Sequence, residues 1–386
     1  MTALYISGCR LLNPGGEPSP PTVVAVDQGR IAAVGGAVPP GAERIDAAGR
    51  FLVPGFIDVH VQGAGGAIVM EGTPQALRTV SATQARYGVT GYLATTVYRP
   101  GGDNDHLDAI AAGLADPAPG AACLGIHLEG PFIAPARKGM IRSTCIGPPD
   151  PGVMVDIRRR CGAALRMMTI APELPGSLAV ISALAAGGSV AAFGHSAADY
   201  DQTRDGIASG ITHVTHLFNA MTSIHHRQPG PALALFEAAQ VTAQVISDGV
   251  HLHPAMVRLV RRLIGDGRIA LITDGMQAMG LPDGDYEYDG VAYTARDGAA
   301  RYCDGTLIGT ACGFTRILGT YMRLTGASLA EALVPAVSVP ARVLGLEQRK
   351  GKVQVGMDAD LVVLGADLEV YATLVEGRVV YRRTGR

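Results

Sequence analysis

Residues 123–131 read Cys-Leu-Gly-Ile-His-Leu-Glu-Gly-Pro, a short apolar stretch that ends in a glutamate and a turn. The β-rich run predicts a buried strand, Cys123–Glu129, which Gly130 and Pro131 bring to an end. Residues two apart in a strand lie on the same face, so His127 and Glu129 point to the same side. The stretch therefore predicts a strand that presents acid–base side chains at its carboxyl end.

Seven other stretches have the same form and alternate with helical patterns. In Pro74–Tyr87 and Pro254–Ile264 the apolar residues recur at three- and four-residue spacing, which is typical of amphipathic helices. Eight strands that alternate with helices over roughly 250 residues predict an α/β fold of the (β/α)₈ TIM-barrel type. The other predicted strands are Phe51–His60, Val89–Val97, Leu165–Ala171, Ser189–His195, Thr212–Leu217, Thr242–Asp248 and Ile269–Asp274.

The two ends of the chain differ from this central pattern. Both contain short alternating runs separated by Gly and Pro turns, and neither end can bury a core alone. We therefore expect residues 1–52 and 347–386 to pair in a small β-sandwich domain, with residues 53–346 forming the barrel. Between them, Pro282–Asp304 is rich in Tyr, Asp and Gly and predicts a hairpin that returns the chain to Leu307–Thr310 at the barrel mouth.

The composition excludes several classes of protein. Of 386 residues, 48% are hydrophobic and 17% charged, which indicates a globular protein rather than a disordered one. A formal charge of −2 provides no general attraction for nucleic acid or acidic membranes, so an anionic substrate would need local groups. The six cysteines form no CxxC pair and predict reduced thiols. With no signal peptide and no apolar run of membrane-spanning length, we expect a soluble, cytoplasmic protein.

Six of the eight predicted strand ends carry metal-binding or acid–base side chains, where barrel enzymes place their catalytic groups. Glu129, His195 and His216 end the third, fifth and sixth strands. One carboxylate and two imidazoles with an open position form a donor set of catalytic zinc and iron sites. Each residue alone would more often be a satisfied core group, but together at one barrel face they predict a metal site.

Two further strand ends contribute to this prediction. His60 and Gln62 share a face after the first strand and define a weak second metal site, because glutamine is a poor ligand for transition metals. One metal ion is therefore favoured over two. Asp274 follows an apolar strand, and although it would also suit a helix N-cap, beside a metal it is expected to act as the general base. His127 is expected to hydrogen-bond the metal ligands.

Seven motifs follow one another along almost the whole chain. They are Pro54-Gly-Phe-Ile-Asp58, His127-Leu-Glu-Gly-Pro131, Gly194-His-Ser196, His216-Leu-Phe-Asn-Ala-Met221, His226-Arg-Gln-Pro-Gly230, Asp248-Gly-Val-His251 and Thr273-Asp274. Together they closely resemble the N-acetylglucosamine-6-phosphate deacetylase family of the amidohydrolase superfamily. The first and last motifs are typical of amidohydrolases in general, and the combination of the others is far more specific.

The resemblance implies the deacetylation of N-acetyl-D-glucosamine 6-phosphate in amino-sugar catabolism. It implies one divalent metal ion per chain, held by Glu129, His195 and His216, with Asp274 as the acid–base residue. Zinc is favoured, and iron, cobalt and manganese are alternatives. It also implies a homodimer in which Arg227 reaches into the neighbouring active site. The implied substrate contacts are Asn219, Ala220, Arg227, His251, Leu307, Ile308 and Gly309.

One departure from the family leaves alternatives open. Ile141 stands where family members often carry a histidine that polarises the substrate carbonyl. Either the metal alone polarises the carbonyl, or Arg142 or Lys138 substitutes, or the substrate differs. The alternative substrates are N-acetylgalactosamine 6-phosphate and another N-acyl amine. A non-catalytic scaffold with the same fold is a further alternative, although such a protein has no need to keep the metal ligands and Asp274.

Overall fold

The N-terminal segment forms five strands outside the central parallel sheet. The structure, a computed structural model, describes residues 3–114 and 119–383. Turns rich in Gly and Pro separate these strands, since both residues favour reversals of the backbone. The strands are β1 (Leu4–Leu11), β2 (Pro21–Asp27), β3 (Arg30–Val34), β4 (Glu43–Asp46) and β5 (Phe51–Pro54).

Eight parallel strands follow, and each pairs with the next along the chain to form one curled sheet. Every residue of the second of these strands is buried, as expected for a sheet covered on both faces. In chain order, with the short ribbon β7–β8 included, the strands are β6 (Phe56–Val61), β7 (Gly63–Ala64), β8 (Ala67–Ile68), β9 (Val89–Thr96), β10 (Ala122–Glu129), β11 (Leu165–Ile170), β12 (Val190–Phe193), β13 (Ile211–Val214), β14 (Thr242–Val245) and β15 (Ile269–Leu271).

The two edges of the parallel sheet meet at the carboxyl ends of its strands. Val61 forms a parallel bridge with Gly275, and the backbone N–H of Gln62 donates to the Gly275 carbonyl at 2.9 Å. Deeper in the sheet, the Asp58 carboxylate accepts a hydrogen bond from the Thr273 hydroxyl at 2.5 Å. These contacts join β6 to the segment after β15. The architecture is an α/β fold consistent with a (β/α)₈ barrel.

Helices cover the outside of the curled sheet, one after each strand. Pro74 occupies the first turn of the first helix, behind the capping side chain of Thr73. The helix predicted at Pro254–Ile264 has those bounds and buries Val257, Val260 and Ile264. The helices are α1 (Pro74–Arg86), α2 (Asp105–Gly113), α3 (Pro151–Cys161), α4 (Ser177–Ala186), α5 (Tyr200–Ser209), α6 (Gly230–Glu237), α7 (Pro254–Ile264) and α8 (Phe314–Thr325).

Between β15 and α8 the chain forms a four-stranded antiparallel sheet above the barrel mouth. The first three strands of this sheet lie within Pro282–Asp304, the segment predicted to form a hairpin. The fourth strand follows that segment and completes the sheet. Its apolar face packs on Met140 and Met276, so it covers one side of the mouth. The strands are β16 (Gly284–Tyr288), β17 (Val291–Arg296), β18 (Ala299–Tyr302) and β19 (Leu307–Thr310).

The C-terminal segment first forms a helical region and then returns to the N-terminal strands. The helical region consists of α9 (Leu329–Leu333), a π-helical turn (Val334–Ser338) and α10 (Val339–Val343), and the last strands are β20 (Leu361–Leu364), β21 (Val370–Val375) and β22 (Arg378–Arg382). Strands of both chain ends share one eight-stranded sheet in the order β22-β21-β20-β5-β1-β2-β3, with β4 beside β1. The bounds of a separate β-sandwich domain remain a prediction.

The observed strands differ from the predicted ones at their ends. The predicted strand Phe51–His60 is two strands, because Phe51–Pro54 pairs with β1 and β20 in the terminal sheet rather than in the barrel. Several barrel strands also stop two or three residues earlier than predicted, so the polar residues after them lie on loops. Within the described ranges, no helix is both long enough and apolar enough to cross a membrane.

Candidate metal centre and active site

Three predicted ligands converge at the mouth of the barrel. Glu129 is the last residue of β10, and His195 and His216 lie two residues beyond β12 and β13. Oε1 of Glu129 is 3.0 Å from Nε2 of His195 and 3.0 Å from Nε2 of His216. The two Nε2 atoms are 3.1 Å apart, and all three side chains are buried. This group can hold a metal ion.

The hydrogen bonds around the ligands test whether a cation fits. Nδ1 of His195 is 2.7 Å from the Arg137 carbonyl, which can only accept, so this nitrogen carries the proton in the neutral ring. Nε2 of His195 then presents a lone pair to a carboxylate oxygen of Glu129 and to the His216 ring. Electron pairs that face each other in a buried site repel unless a cation lies between them. The donor set therefore suits a divalent ion with an open coordination position.

The close approach of the ligands also shifts the pKa values of Glu129 and His216. Burial alone would raise the pKa of Glu129, but the charge of His60 and the close contacts with the His195 and His216 rings lower it well below the ordinary value. Burial alone would lower the pKa of His216, yet its hydrogen bond to Glu129 and the nearby carboxylates raise it. Glu129 is thus an ionised carboxylate at neutral pH, which is the form that binds metals.

Asp274 lies beside this group, three residues beyond β15. Its Oδ1 is 3.2 Å from Nε2 of Gln62, which donates to it, and 3.3 Å from Nε2 of His60. His60 is in turn fixed by Gln244, whose Oε1 lies 3.0 Å from His60 Nδ1. Nε2 of His60 is 3.7 Å from Oε1 of Glu129. Gln62 therefore acts here as a hydrogen-bond donor to Asp274, and a second metal site at His60 and Gln62 remains a prediction.

The backbone is strained where these side chains enter the site. His195, His216 and Asp274 have φ angles of +48°, +26° and +50°, in the left-handed region that residues with a Cβ atom rarely adopt. Such conformations persist where the surrounding structure imposes them, and they concentrate at functional sites. The strain also explains why the strands end before these residues, since positive φ breaks the extended ladder.

The site opens into a cavity of about 290 Å³. Glu129, His195, His216 and Asp274 line it, together with Gln62. Six of the seven implied substrate contacts also line it: Asn219, Ala220, His251, Leu307, Ile308 and Gly309. Sequence reasoning did not predict five other lining residues, which are Ala136, Arg137, Gly139, Met140 and Thr306. Four of them belong to the loop that follows the motif His127–Pro131, and the motif indicates the loop but not which of its residues line the cavity.

Two polar side chains in the cavity are held by their own loops. Nδ2 of Asn219 donates to the carbonyl of His216 at 3.3 Å. Nδ1 of His251 is 2.7 Å from Oδ2 of Asp248, whose other oxygen accepts from the backbone N–H of His251 at 2.9 Å. Burial would raise the pKa of Asp248, but the His251 ring and these N–H groups lower it. Asp248 therefore fixes the His251 ring and leaves its Nε2 for a ligand.

Three predicted or suggested groups lie away from the cavity. Arg227 is exposed, and its guanidinium is 2.7 Å from Nε2 of His226. Arg142 is also exposed and donates to the backbone carbonyl of Asp289. Ile141 is buried in an apolar cluster with Val97, Ile133 and Cys145, so it does not face the site. The side chain of Ile141 is part of the apolar core.

The expectation that His127 supports the ligands directly is wrong. Its Nδ1 is 3.1 Å from the Val59 carbonyl and its Nε2 is 2.8 Å from Oγ1 of Thr169. Both ring nitrogens are therefore used inside the barrel. Burial lowers the pKa of His127 well below the ordinary value, so the ring is neutral. His127 is a structural residue of the barrel interior.

The class of protein follows from these features together with a family comparison. Residues 51–380 match the model of the amidohydrolase family. The matched segment contains the curled parallel sheet, the convergent ligands and Asp274. The chain belongs to the amidohydrolase family.

Two relatives and one solved structure show which members of the family this chain is similar to. An N-acetylglucosamine-6-phosphate deacetylase from Bacillus subtilis is 34% identical over 365 residues, covering 93% of this chain and 92% of that protein. An N-acetylgalactosamine-6-phosphate deacetylase from Escherichia coli is 35% identical, covering 85% and 87%. The structure of a mutant N-acetyl-D-glucosamine-6-phosphate deacetylase from Mycobacterium smegmatis, in complex with N-acetyl-D-glucosamine-6-phosphate, superimposes with a TM-score of 0.89 at 34% identity, covering 98% and 100%. These similarities confirm the resemblance inferred from the motifs.

Proposed function

We propose that this protein is a metal-dependent deacetylase that converts N-acetyl-D-glucosamine 6-phosphate to D-glucosamine 6-phosphate and acetate in amino-sugar catabolism. The observation that carries the proposal is the convergence of Glu129, His195 and His216 beside Asp274, in a cavity lined by implied sugar contacts. The similarity to deacetylases over nearly the whole chain supports the same activity. A non-catalytic scaffold has no use for this buried set of groups, so the site disfavours that alternative.

The proposed reaction would use one divalent ion per chain, which Glu129, His195 and His216 would hold. Such an ion supplies a Lewis acid for the acetyl carbonyl and increases the acidity of a water molecule. Zinc is the favoured ion, and iron, cobalt and manganese suit the same donor set. The Arg137 carbonyl keeps the His195 ring in the tautomer that binds a metal.

Asp274 is proposed to move the protons of the reaction. Gln62 occupies its Oδ1, so Oδ2 is the oxygen that remains to accept a proton from the attacking water. The oxygen of that water forms a bond to the acetyl carbon, and the carbon–nitrogen bond of the amide then breaks. Asp274 returns the proton to the departing nitrogen, which leaves as the amine of the sugar. Asn219, the Ala220 backbone and His251 are proposed to bind the phosphate and the sugar, with Leu307, Ile308 and Gly309 along the sugar.

The protein is further proposed to be a homodimer in which Arg227 completes the phosphate site of the partner subunit. Arg227 is exposed and does not line the cavity of its own chain, which a role in a neighbouring subunit would explain. A guanidinium binds phosphate through two parallel hydrogen bonds and is suited to this task. The ends of the chain, residues 1–52 and 347–386, are proposed to form a β-sandwich domain beside the barrel of residues 53–346.

The sequence comparison supports a second candidate substrate equally well. The E. coli N-acetylgalactosamine-6-phosphate deacetylase is as similar in sequence as the B. subtilis enzyme, with 35% against 34% identity. The two sugars differ in the configuration of one hydroxyl, and overall identity does not distinguish them. A different N-acyl amine is a further alternative substrate.

The deciding experiment measures acetate release from both sugar phosphates by protein of known metal content. The proposal predicts a higher kcat/KM for N-acetylglucosamine 6-phosphate, with about one ion per chain. A preference for the galactose epimer would transfer the proposal to the second candidate. Asp274→Asn should bind the metal and lose most turnover, by at least about a hundredfold. Full turnover by this variant would remove Asp274 from the mechanism, and no release from either sugar by metallated protein would contradict the proposed function.

A further inference from the structure

The charges that line the cavity are unbalanced for a phosphorylated substrate. Among the described lining residues, Glu129 and Asp274 are carboxylates, and Arg137 is the single arginine or lysine. A phosphate monoester carries about −1.5 to −2 charges at neutral pH. The protein as a whole has a formal charge of −2, so no general field compensates for that charge. The divalent ion proposed at Glu129, His195 and His216 would offset the two carboxylates but not the phosphate as well. A basic side chain is therefore needed for the phosphate, and among the described lining residues Arg137 is the one that provides it.

Arg137 is held in place beside the candidate metal centre. It ends a short helical turn, Pro135–Arg137, in the loop between β10 and α3. Its backbone N–H donates to the Ala134 carbonyl at 2.8 Å. Its own carbonyl accepts from Nδ1 of His195 at 2.7 Å. These two hydrogen bonds fix the backbone of Arg137 beside His195, a predicted metal ligand, so the side chain begins next to the candidate metal centre.

The side chain of Arg137 has an unused donor. Its Nε is buried and has no hydrogen-bond partner. The guanidinium makes no ion pair with any residue in the described part of the chain. Leaving a buried donor unpaired costs about 1–3 kcal/mol, and an unpaired group in a native protein calls for an explanation. Because this residue lines a cavity that faces a metal site, a bound anion provides that explanation.

Neighbouring cations are engaged elsewhere or point to solvent. Lys138 follows directly in the sequence but is exposed and does not line the cavity. Arg142 donates to Asp289 on the covering sheet. Arg227 contacts His226 outside the cavity. Arg137 is therefore distinguished from Lys138 by its position in the cavity, and from Arg142 and Arg227 by both its position and its unpaired Nε.

We propose that Arg137 binds the phosphate of the substrate from within the same chain and is a specificity-determining residue for phosphorylated sugars. The inference rests on the proposed deacetylase function. The planar guanidinium offers several N–H donors to the phosphate oxygens, and the ligand pairs the Nε that the free protein leaves unpaired. Each cavity then has its own cation, independent of any arginine from a partner subunit.

The test compares Arg137→Met with the unaltered protein on N-acetylglucosamine 6-phosphate and on unphosphorylated N-acetylglucosamine. For the phosphorylated sugar, kcat/KM should fall roughly 10- to 100-fold, mostly through KM, as expected for a lost charge-assisted hydrogen bond. The value for the unphosphorylated sugar should stay unchanged. In parallel, the inhibition constant of glucosamine 6-phosphate should rise, while that of glucosamine should not.

Two results would overturn the inference. An unchanged kcat/KM for the phosphorylated sugar would show that Arg137 does not bind the phosphate. An equal loss on both sugars would assign Arg137 to the acetamide or to the metal centre instead. If the unaltered, metallated protein released no acetate, the proposed function itself would fail, which is a different outcome from either of these.

Matched variants exclude indirect effects. Lys138→Met removes the adjacent exposed cation and should leave both substrates unaffected. Arg137→Lys retains a positive charge without the planar fork, and it should recover part of the loss seen in Arg137→Met. The metal content of both Arg137 variants should equal that of the unaltered protein, because His195 contacts the backbone of residue 137 and not its side chain. If Arg137→Met lost its metal, Arg137→Lys would take its place in the test. A lower kcat/KM of this variant on the phosphorylated sugar alone would support the proposal, and an unchanged value or an equal loss on both sugars would overturn it.

Discussion

The hydrogen bond from Gln62 makes the two carboxylate oxygens of Asp274, the proposed acid–base residue, unequal, because Gln62 donates to only one of them. Gln62 donates to Oδ1 at 3.2 Å, and both side chains are buried. Gln62→Leu should lower kcat by roughly tenfold, because the carboxylate loses the donor that fixes its orientation, while KM stays similar. Steady-state kinetics with metal analysis would measure this, and the metal content should not change.

Gln354→Leu is a suitable control for this variant, since Gln354 is exposed in the C-terminal segment. It should leave both kinetic constants unchanged. A Gln62→Leu protein that loses its metal together with its activity would instead assign Gln62 to metal binding, as the weak second site predicts.

At the residue scale, the convergence of the candidate metal ligands could be predicted from the sequence, whereas the basic residue that lines the cavity could not. Glu129, His195 and His216 follow short apolar runs, and the ends of parallel strands in a barrel meet at one face. Arg137 gives no such signal, because it lies in a loop whose course depends on tertiary contacts. For the same reason the sequence could not show that Ile141 faces the core.

At the scale of elements, β19 packs against the segment that carries Asp274. A Cβ atom at Gly309 would lie 2.5 Å from the Asp274 carbonyl oxygen, and its φ of +139° disfavours any side chain. Gly309→Ala should therefore displace Asp274 and remove most turnover, with a loss of about 1–3 kcal/mol in the free energy of unfolding. Activity assays and urea denaturation would measure both effects.

Gly305 provides the matched control in the same region. It also has a positive φ, +87°, but a Cβ atom added there would have no other atom within 4 Å. Gly305→Ala should cost about 1 kcal/mol of backbone strain and retain turnover. Equal losses of activity in both variants would mean that strain in the loop, rather than contact with Asp274, controls catalysis.

The pairing of β13 with β14 contains a histidine that should make stability depend on pH. Burial, with the charge of His60 acting in the same direction, lowers the pKa of His213 from 6.5 to about 3. The unfolded chain therefore binds this proton more readily than the folded one. Its contribution to stability is complete above about pH 6.5 and is lost as the pH falls toward 3. His213→Gln should weaken the dependence of the unfolding free energy on pH between neutrality and pH 5.

Denaturant titrations at several pH values would test this, with slopes compared rather than absolute stabilities. The comparison of slopes matters because the substitution also alters the contact of His213 with Thr242, 2.6 Å in length. His226→Gln, at an exposed site, should leave the slope unchanged. An unaltered slope in His213→Gln would contradict a neutral buried ring.

Strand ends were the least predictable feature of the elements, and the reason is local strain. Apolar character continues to His195 and Asp274, so the sequence predicts strands that reach them. The positive φ angles at both residues end the ladders earlier. At Phe51–Pro54 the apolar run continues through Gly55, and only pairing with β20 shows where one sheet stops and the other begins.

At the scale of the whole molecule, the two edges of the barrel sheet and the two ends of the chain are joined by separate interactions. The bridge between Val61 and Gly275 connects the first barrel strand to the loop that carries Asp274. The terminal sheet pairs β20 with β5, immediately before that first barrel strand. Strands from the beginning and end of the chain therefore anchor the segment that leads into His60 and Gln62.

The proposed exchange of Arg227 between subunits predicts complementation between inactive variants. Asp274→Asn and Arg227→Ala should each have low activity on the phosphorylated sugar. In a hybrid dimer, one site combines an intact Asp274 with an intact Arg227 from the partner subunit. An equal mixture after subunit exchange should therefore recover about a quarter of the activity, since about half of the dimers are hybrids with one complete site.

Differently tagged subunits would allow hybrid dimers to be purified and assayed for acetate release. A mixture of Asp274→Asn with the double variant Asp274→Asn/Arg227→Ala should stay inactive, because none of its sites has an intact Asp274. If the purified hybrid of the single variants were also inactive, Arg227 would not act across the interface. Phosphate binding would then depend on groups of one chain, among which Arg137 is the cation that lines the cavity.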